Sequence, residues 1–325
     1  MIVTESLDSA HLARNVFGNP SRRTHVVYLP PGYETSGRRY PVVYLLHGFS
    51  SRSTNWPLPQ AMSYGGLRVP IDELLDTAIS SGQAGEMIVV MPDGWSRYGC
   101  SMWVDSPANG DFEQYVVQDV VAHIDQRYRT IPSAASRGVF GLSSGGFGAW
   151  HLATRNPKVF GAFAMISASI GFEVSRLPWF YRYFDRLYPN EPAGPIAGDI
   201  GSWFCYALAA AHTPNVARPP YFVDFPVDYP SGDIIPDRWA TWQSYDPVEN
   251  WTSRTAALRG MRGILIDCGY RDENRYHFGN RMLSARLRAA GIAHRSEEHD
   301  GGHTDRLFER VQFSYSWLST ALAAT

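Results

Sequence analysis

The chain has 325 residues, 44% of them hydrophobic and 18% charged, with a formal net charge of −2. That length allows one large core or two modest ones, and the absence of any basic or acidic block argues against nucleic acid or a membrane surface as partner. The cysteines Cys100, Cys205 and Cys268 lie far apart without a CxxC pair, so a cytoplasmic protein with reduced thiols is expected rather than a disulfide framework or structural zinc.

The opening stretch, MIVTESLDSAHLARN, has no basic segment followed by an apolar one and does not read as a secretory signal. Residues 24–29, THVVYL, predict a strand stopped by PPGY. PVVYLL at 41–46 predicts a second strand, apolar enough to be buried on both faces, and the loop HGFSSRSTNW follows it. Pro70 can start a helix whose apolar face is Leu74, Leu75 and Ile79, and MIVVMP at 87–92 predicts another buried strand. The clearest helix is 111–128. There Phe112, Val116, Val120 and Ile124 recur every four residues, and Asp111 and Glu113 favour the N-terminal end. GVFG predicts a strand, followed by a helix to Asn156 that Pro157 halts. Strands are expected in FGAFAMISAS and RGILID, then a helix over 276–290 ending at Gly291, a strand near 292–298 and a last helix from about 305.

Strands alternating with helices predict a mostly parallel sheet covered on both faces. The longest apolar run, VFGAFAMISASIGF, is too short to span a bilayer. Residues 170–251 break the rhythm, with 18 aromatic residues and 11 of the 22 prolines in 82 positions. This segment is expected to be a cap insertion, folded over one end of the sheet within a single domain of residues 1–325.

GLSSG at 141–145 matches G-x-S-x-G, with an apolar strand before it and a helix after it. Ser143 alone has glycine at both −2 and +2, which makes it the expected nucleophile. Gly146 and Gly148 would let the following helix approach the sheet. A serine hydroxyl needs a base, and the base an orienting acid, in the chain order Ser, Asp or Glu, His. ILIDCGYRDEN offers Asp267, Asp272 and Glu273. Asp272, in the loop beyond the strand, is the expected acid, and the other two are alternatives. EEHDGGHTDRLF offers His299 and His303, of which His303, in the Gly-Gly turn, is the better placed base. Their i, i+4 spacing would suit a metal on a helix, which Gly301 and Gly302 oppose, so no metal is expected. The oxyanion requires N–H donors, expected from Ser144 and from Phe49 in LLHGF, with His47 shaping that loop. Trp95, Tyr98 and Trp103 after VVMPDG are expected, with cap aromatics, to form an apolar or aryl binding pocket.

VVYLPPGY, RRYPVVYLLHGFSSRSTNW, IVVMPDG, GDFEQYVVQDVVAHIDQRYRT, GLSSGGFGAW, DCGYRDEN and GGH occur in this order. Over roughly 20–169 and 245–320 they resemble the esterase D-like family of the α/β-hydrolase superfamily. That family includes feruloyl and acetyl-xylan esterases, enterobactin-type esterases, S-formylglutathione hydrolases and mycolyltransferases. The resemblance implies an α/β-hydrolase fold and a serine hydrolase without metal or cofactor. It places nucleophile, acid and base on Ser143, Asp272 and His303, with Phe49 and Ser144 at the oxyanion hole. The expected activity is hydrolysis of a small or aryl/apolar carboxylic ester through an acyl-enzyme. The alternative is acyl transfer to an alcohol or amine by the same triad. The partner is then a small-molecule ester, and nothing in the sequence specifies an oligomer.

Overall fold

Eight strands form the central sheet of the computed structural model, which describes residues 1–58, 69–187 and 194–322. They are β1 (Ile2–Asp8), β2 (Arg22–Tyr28), β3 (Val42–Leu46), β4 (Ile88–Met91), β7 (Arg137–Leu142), β8 (Ala162–Ile166), β9 (Gly263–Gly269) and β10 (Arg295–His299), and a small hairpin supplies β5 (Asp105–Ser106) and β6 (Gly110–Asp111). The spatial order is β1-β2-β4-β3-β7-β8-β9-β10. β1 and β2 run antiparallel to their neighbours, and every other pair in the sheet is parallel.

Every residue of β3, β4, β7 and β8 is buried, as parallel strands covered on both faces must be. Alternate side chains enter opposite cores. Val42, Tyr44 and Leu46 join Phe112, Ile124, Phe147 and Leu283 on one face. Val43 and Leu45 join Leu74, Leu75, Val311 and Tyr315 on the other. The second face is covered by α1 (Ile71–Ser80) and α12 (Leu307–Ala321). The first is covered by α2 (Phe112–Gln114) and α3 (Val121–Arg127), joined by a π-helical segment Tyr115–Val120, and by α4 (Ser144–Arg155) and α11 (Tyr276–Ala289).

The π-helical segment departs from the regular helix expected over 111–128. An apolar residue every four positions drifts by about 40° per step on a 3.6-residue turn. The wider i→i+5 turns take up that drift, and Phe112, Val116, Val120 and Ile124 all stay buried. No strand is expected from the sequence at β1, whose sheet-edge position leaves most of it half-buried.

Between β8 and β9 lie α5 (Phe172–Ser175), α6 (Leu177–Leu187), α7 (Ile200–His212), α8 (Pro236–Tyr245), α9 (Pro247–Asn250) and α10 (Thr255–Gly260). The described part of this excursion gives no strand to the central sheet. Residues 188–193 of the expected cap lie outside the described residues. No helix of the described residues is long and apolar enough to cross a membrane.

Candidate active site

β7 ends at Leu142 and α4 begins at Ser144, so Ser143 alone makes the turn, at φ 59° and ψ −118°. A non-glycine residue there is strained and must be held by its surroundings. Its N–H donates to Ile166 O at 2.9 Å, and its carbonyl accepts from Phe147 N–H at 3.0 Å and Ser169 N–H at 3.1 Å. The turn also needs close backbone approach. A Cβ on Gly145 would stand 2.3 Å from Leu46 O and 2.7 Å from His47 O, and one on Gly141 would stand 2.6 Å from the Gly145 carbonyl. Gly148 serves a different contact, because a Cβ there would meet the Trp103 ring at 2.6 Å.

The loops after β9 and β10 bring the two other expected residues together. His303 Nδ1 lies 2.8 Å from Asp272 Oδ2, and the Asp272 side chain is fully buried. Asn274 N–H donates to the other oxygen, Oδ1, at 2.8 Å. Glu273 instead accepts the backbone N–H of His303 at 2.8 Å, so it shapes the loop rather than touching the imidazole. Asp267 holds Arg310 Nε at 2.6 Å and lies 3.4 Å from His299 Nδ1, and both His299 and Asp267 are buried. The alternatives therefore pair with each other, and Asp272 pairs with His303.

Ser143 and His303 line one cavity of about 160 Å³, together with Phe49, Leu142, Trp179, Ile200, Phe204 and Tyr276. Tyr276 meets the His303 ring edge-on, with centroids 5.1 Å apart. As the first residue of α4, Ser144 has an N–H without an acceptor inside the helix. No group among the described residues takes the Phe49 N–H. His47 is fully buried and fixes the Phe49 loop. Its Nδ1 donates to Gly48 O at 2.9 Å, and its Nε2 accepts Gly94 N–H at 2.8 Å. Burial holds this imidazole below the ordinary histidine value, so it is neutral near pH 7.

Trp95, Tyr98 and Trp103, expected in the binding pocket, do not line this cavity. Trp103 is fully buried at φ 61°, its ring in the slots beside Gly94 and Gly148 and its Nε1–H donating to His47 O at 3.3 Å. Tyr98 is buried against Phe17 and Tyr206, and its hydroxyl donates to Tyr221 O. Trp95 lies under the Arg52 guanidinium, 4.5 Å away. The apolar wall comes instead from Trp179, Ile200 and Phe204 in the β8–β9 excursion, and from Tyr276. The aromatic richness of 170–251 was the signal for the first group, but which of its residues face the site depends on how its helices pack.

Arg176 ties that excursion to the serine turn. It is fully buried, with its guanidinium 3.6 Å from the Phe172 ring centroid and 4.7 Å from that of Phe147. It donates to Ser169 O at 2.7 Å, to Ser169 Oγ at 2.9 Å and to His212 Nε2 at 2.8 Å. Burial pushes it down to about 9, a value at which it is still charged near neutral pH.

A parallel sheet with two antiparallel strands at one edge, and a serine on a strained strand-to-helix turn, define an α/β hydrolase. The chain belongs to the esterase family described as "Putative esterase", whose model matches residues 19–313. It is 27% identical over 289 residues to Esterase Rv1288 of Mycobacterium tuberculosis, covering 86% of this chain and 52% of that protein. It is 30% identical over 149 residues to an endo-1,4-beta-xylanase/feruloyl esterase of Xylanibacter ruminicola, covering 45% of this chain and 19% of that protein. The chain thus spans about half the length, or less, of these relatives. Among solved structures, a ferulic acid esterase aligns at TM-score 0.66 and 22% identity, covering 99% of this chain and 98% of that one. An S-formylglutathione hydrolase from Agrobacterium tumefaciens aligns at TM-score 0.60 and 20% identity, covering 99% and 96%. At such identities these structures speak for the fold alone.

Proposed function

We propose that the chain hydrolyses small carboxylic esters through an acyl-enzyme on Ser143. The observation that carries this reading is the meeting of Ser143 and His303 in one cavity, with Asp272 on the other imidazole nitrogen. Asp272 orients His303 so that Nε2 faces the serine as a base. The Ser143 hydroxyl attacks the ester carbonyl as His303 takes its proton. The Phe49 and Ser144 N–H groups receive the oxyanion, each such donor being worth about 3 kcal/mol of barrier. The imidazolium returns the proton to the departing alcohol, and water, activated by the same histidine, releases the acid.

The β8–β9 excursion acts as a cap that supplies the substrate wall. A cavity of about 150 Å³ accepts benzene, so about 160 Å³ lined by Trp179, Ile200 and Phe204 suits a single aryl ring or a short acyl chain. The three cysteines are buried and unpaired, which supports a reducing compartment such as the cytoplasm.

A fluorophosphonate probe tests the assignment directly. Wild type should label stoichiometrically and lose p-nitrophenyl ester turnover in step, while Ser143→Ala should do neither. Undiminished labelling of Ser143→Ala would refute the nucleophile, and an unlabelled wild type would refute the reading as a whole.

A further inference from the structure

The edge of the sheet farthest from β10 holds a second cluster of polar side chains. Glu5 in β1 and His25 in β2 are direct cross-strand partners. Neighbouring positions on the same face, Val3, Leu7 and Val27, enter the apolar core, so this pair stands where the alternation calls for apolar residues. His123 of α3 closes over them. His123 Nε2 is 2.8 Å from Glu5 Oε2, His25 Nε2 is 3.5 Å from the same oxygen, and the three ligand atoms all lie within 4.8 Å of one another.

His25 is the anomaly. Its side chain is fully buried, yet neither ring nitrogen has a hydrogen-bond partner. A buried polar group left unpaired is costly and calls for an explanation. Glu5 is already served on its far side, where Oε1 accepts from Tyr128 Oη at 2.8 Å and from Arg127 Nε at 3.0 Å. That leaves Oε2 turned toward both imidazoles, as when outer groups orient a ligating carboxylate. Ligand atoms about 3.3 Å apart are what bond lengths of about 2.0–2.1 Å in a tetrahedral site require.

We infer that Glu5, His25 and His123 form a mononuclear site for a divalent transition metal, with zinc the best match to two imidazoles and a carboxylate. His123 also lines an open surface hollow with Asp119 and Gln126, from which water supplies the fourth ligand. The site is separate from the ester chemistry. β1 lies four strands from β7 in the sheet, or about 19 Å at about 4.8 Å per strand. Its role is to clamp the edge pair β1–β2 to α3, and it does not rest on the hydrolase reading.

The test uses the tag-free 325-residue chain, stripped with a chelator and titrated with zinc or with cobalt as a spectroscopic stand-in. One zinc per chain should rebind, cobalt should give visible d–d absorption, and saturating zinc should raise Tm by about 5 °C. His123→Ala, at a half-buried position, and Glu5→Gln should fold, lose the bound metal and lose the zinc-dependent Tm shift. Both should keep ester turnover below their melting point. Failure of wild type to bind a stoichiometric metal at micromolar concentration would overturn the site, as would equal binding by both variants.

Discussion

The carboxylate of Glu273 accepts the backbone N–H of His303 at 2.8 Å, while its neighbour Asp272 takes the imidazole of the same residue. Two adjacent acids thus hold one histidine by different groups, and only the second controls its ring. Asp272→Asn should lower kcat by about 10⁴-fold. Glu273→Gln, which keeps an acceptor at an exposed position, should stay within about tenfold. Steady-state kinetics on p-nitrophenyl acetate decide between them, and a dead Glu273→Gln beside an active Asp272→Asn would reverse the roles.

The cavity wall can be separated from overall stability at Ile200, which is 56% exposed and lines the cavity. Ile200→Ala should leave Tm nearly unchanged. It should lower kcat/KM for an aryl acyl ester about fivefold, the worth of about 1 kcal/mol of apolar contact. Trp95→Ala should leave kcat/KM unchanged. The opposite pattern would return Trp95 to the binding site.

Gly145→Ala forces a methyl against the Leu46 and His47 carbonyls, which are backbone and carry the Phe49 loop. Such overpacking should cost about 1–3 kcal/mol. Because the displaced segment carries Phe49, the proposed oxyanion donor, kcat should fall together with Tm. Gly82→Ala is the contrast. It has open space but positive φ, so it should lower Tm modestly and leave kcat intact.

Acid should destabilise the protein in two stages. His47 and His212 are held below the ordinary value of 6.5, both chiefly by burial. The unfolded chain therefore binds protons that the native one does not. Their stabilisation is complete above pH 6.5 and declines as pH falls, by up to about 1.4 kcal/mol per unit for each. Glu113 adds a lower window. Burial alone would raise it, but His151, Asn156 and Arg155 bring it to about 2. Its contribution is present above 4.5 and is lost as pH falls toward 2. Tm measured from pH 8 to pH 3 should decline first below 6.5 and more steeply below 4.5. A flat profile between pH 7 and pH 5 would contradict the buried neutral histidines.

The serine turn was legible in sequence because two glycines at fixed offsets meet its demands. Gly141 makes room for the Gly145 backbone within the strand–turn–helix unit, and Gly145 makes room for the Leu46 and His47 carbonyls at the end of the neighbouring strand, so a short motif encodes both. The pairing of Asp272 with His303 was legible through chain order and through their loops after β9 and β10. The cavity lining was not. Trp95, Tyr98 and Trp103 looked like pocket residues because aromatic side chains in a loop beside the site serve equally as core. Gly94 and Gly148 were the clue that the Trp103 ring is slotted inward. Ile200 and Phe204 reach the cavity only through the packing of α7, which no periodicity in 170–251 announces. β1 was missed because Glu5 interrupts its apolar alternation.

The buried guanidinium of Arg176 has a consequence for transplanting specificity. Its contacts to Ser169 on one side and His212 on the other make the junction after β8 and the end of α7 part of the scaffold rather than of the exchangeable part of the excursion. A graft from a relative that replaced the whole excursion would have to bring its own counterpart to this anchor. A graft confined to residues 177–211, which carry Trp179, Ile200 and Phe204, would leave the anchor in place and change the cavity wall.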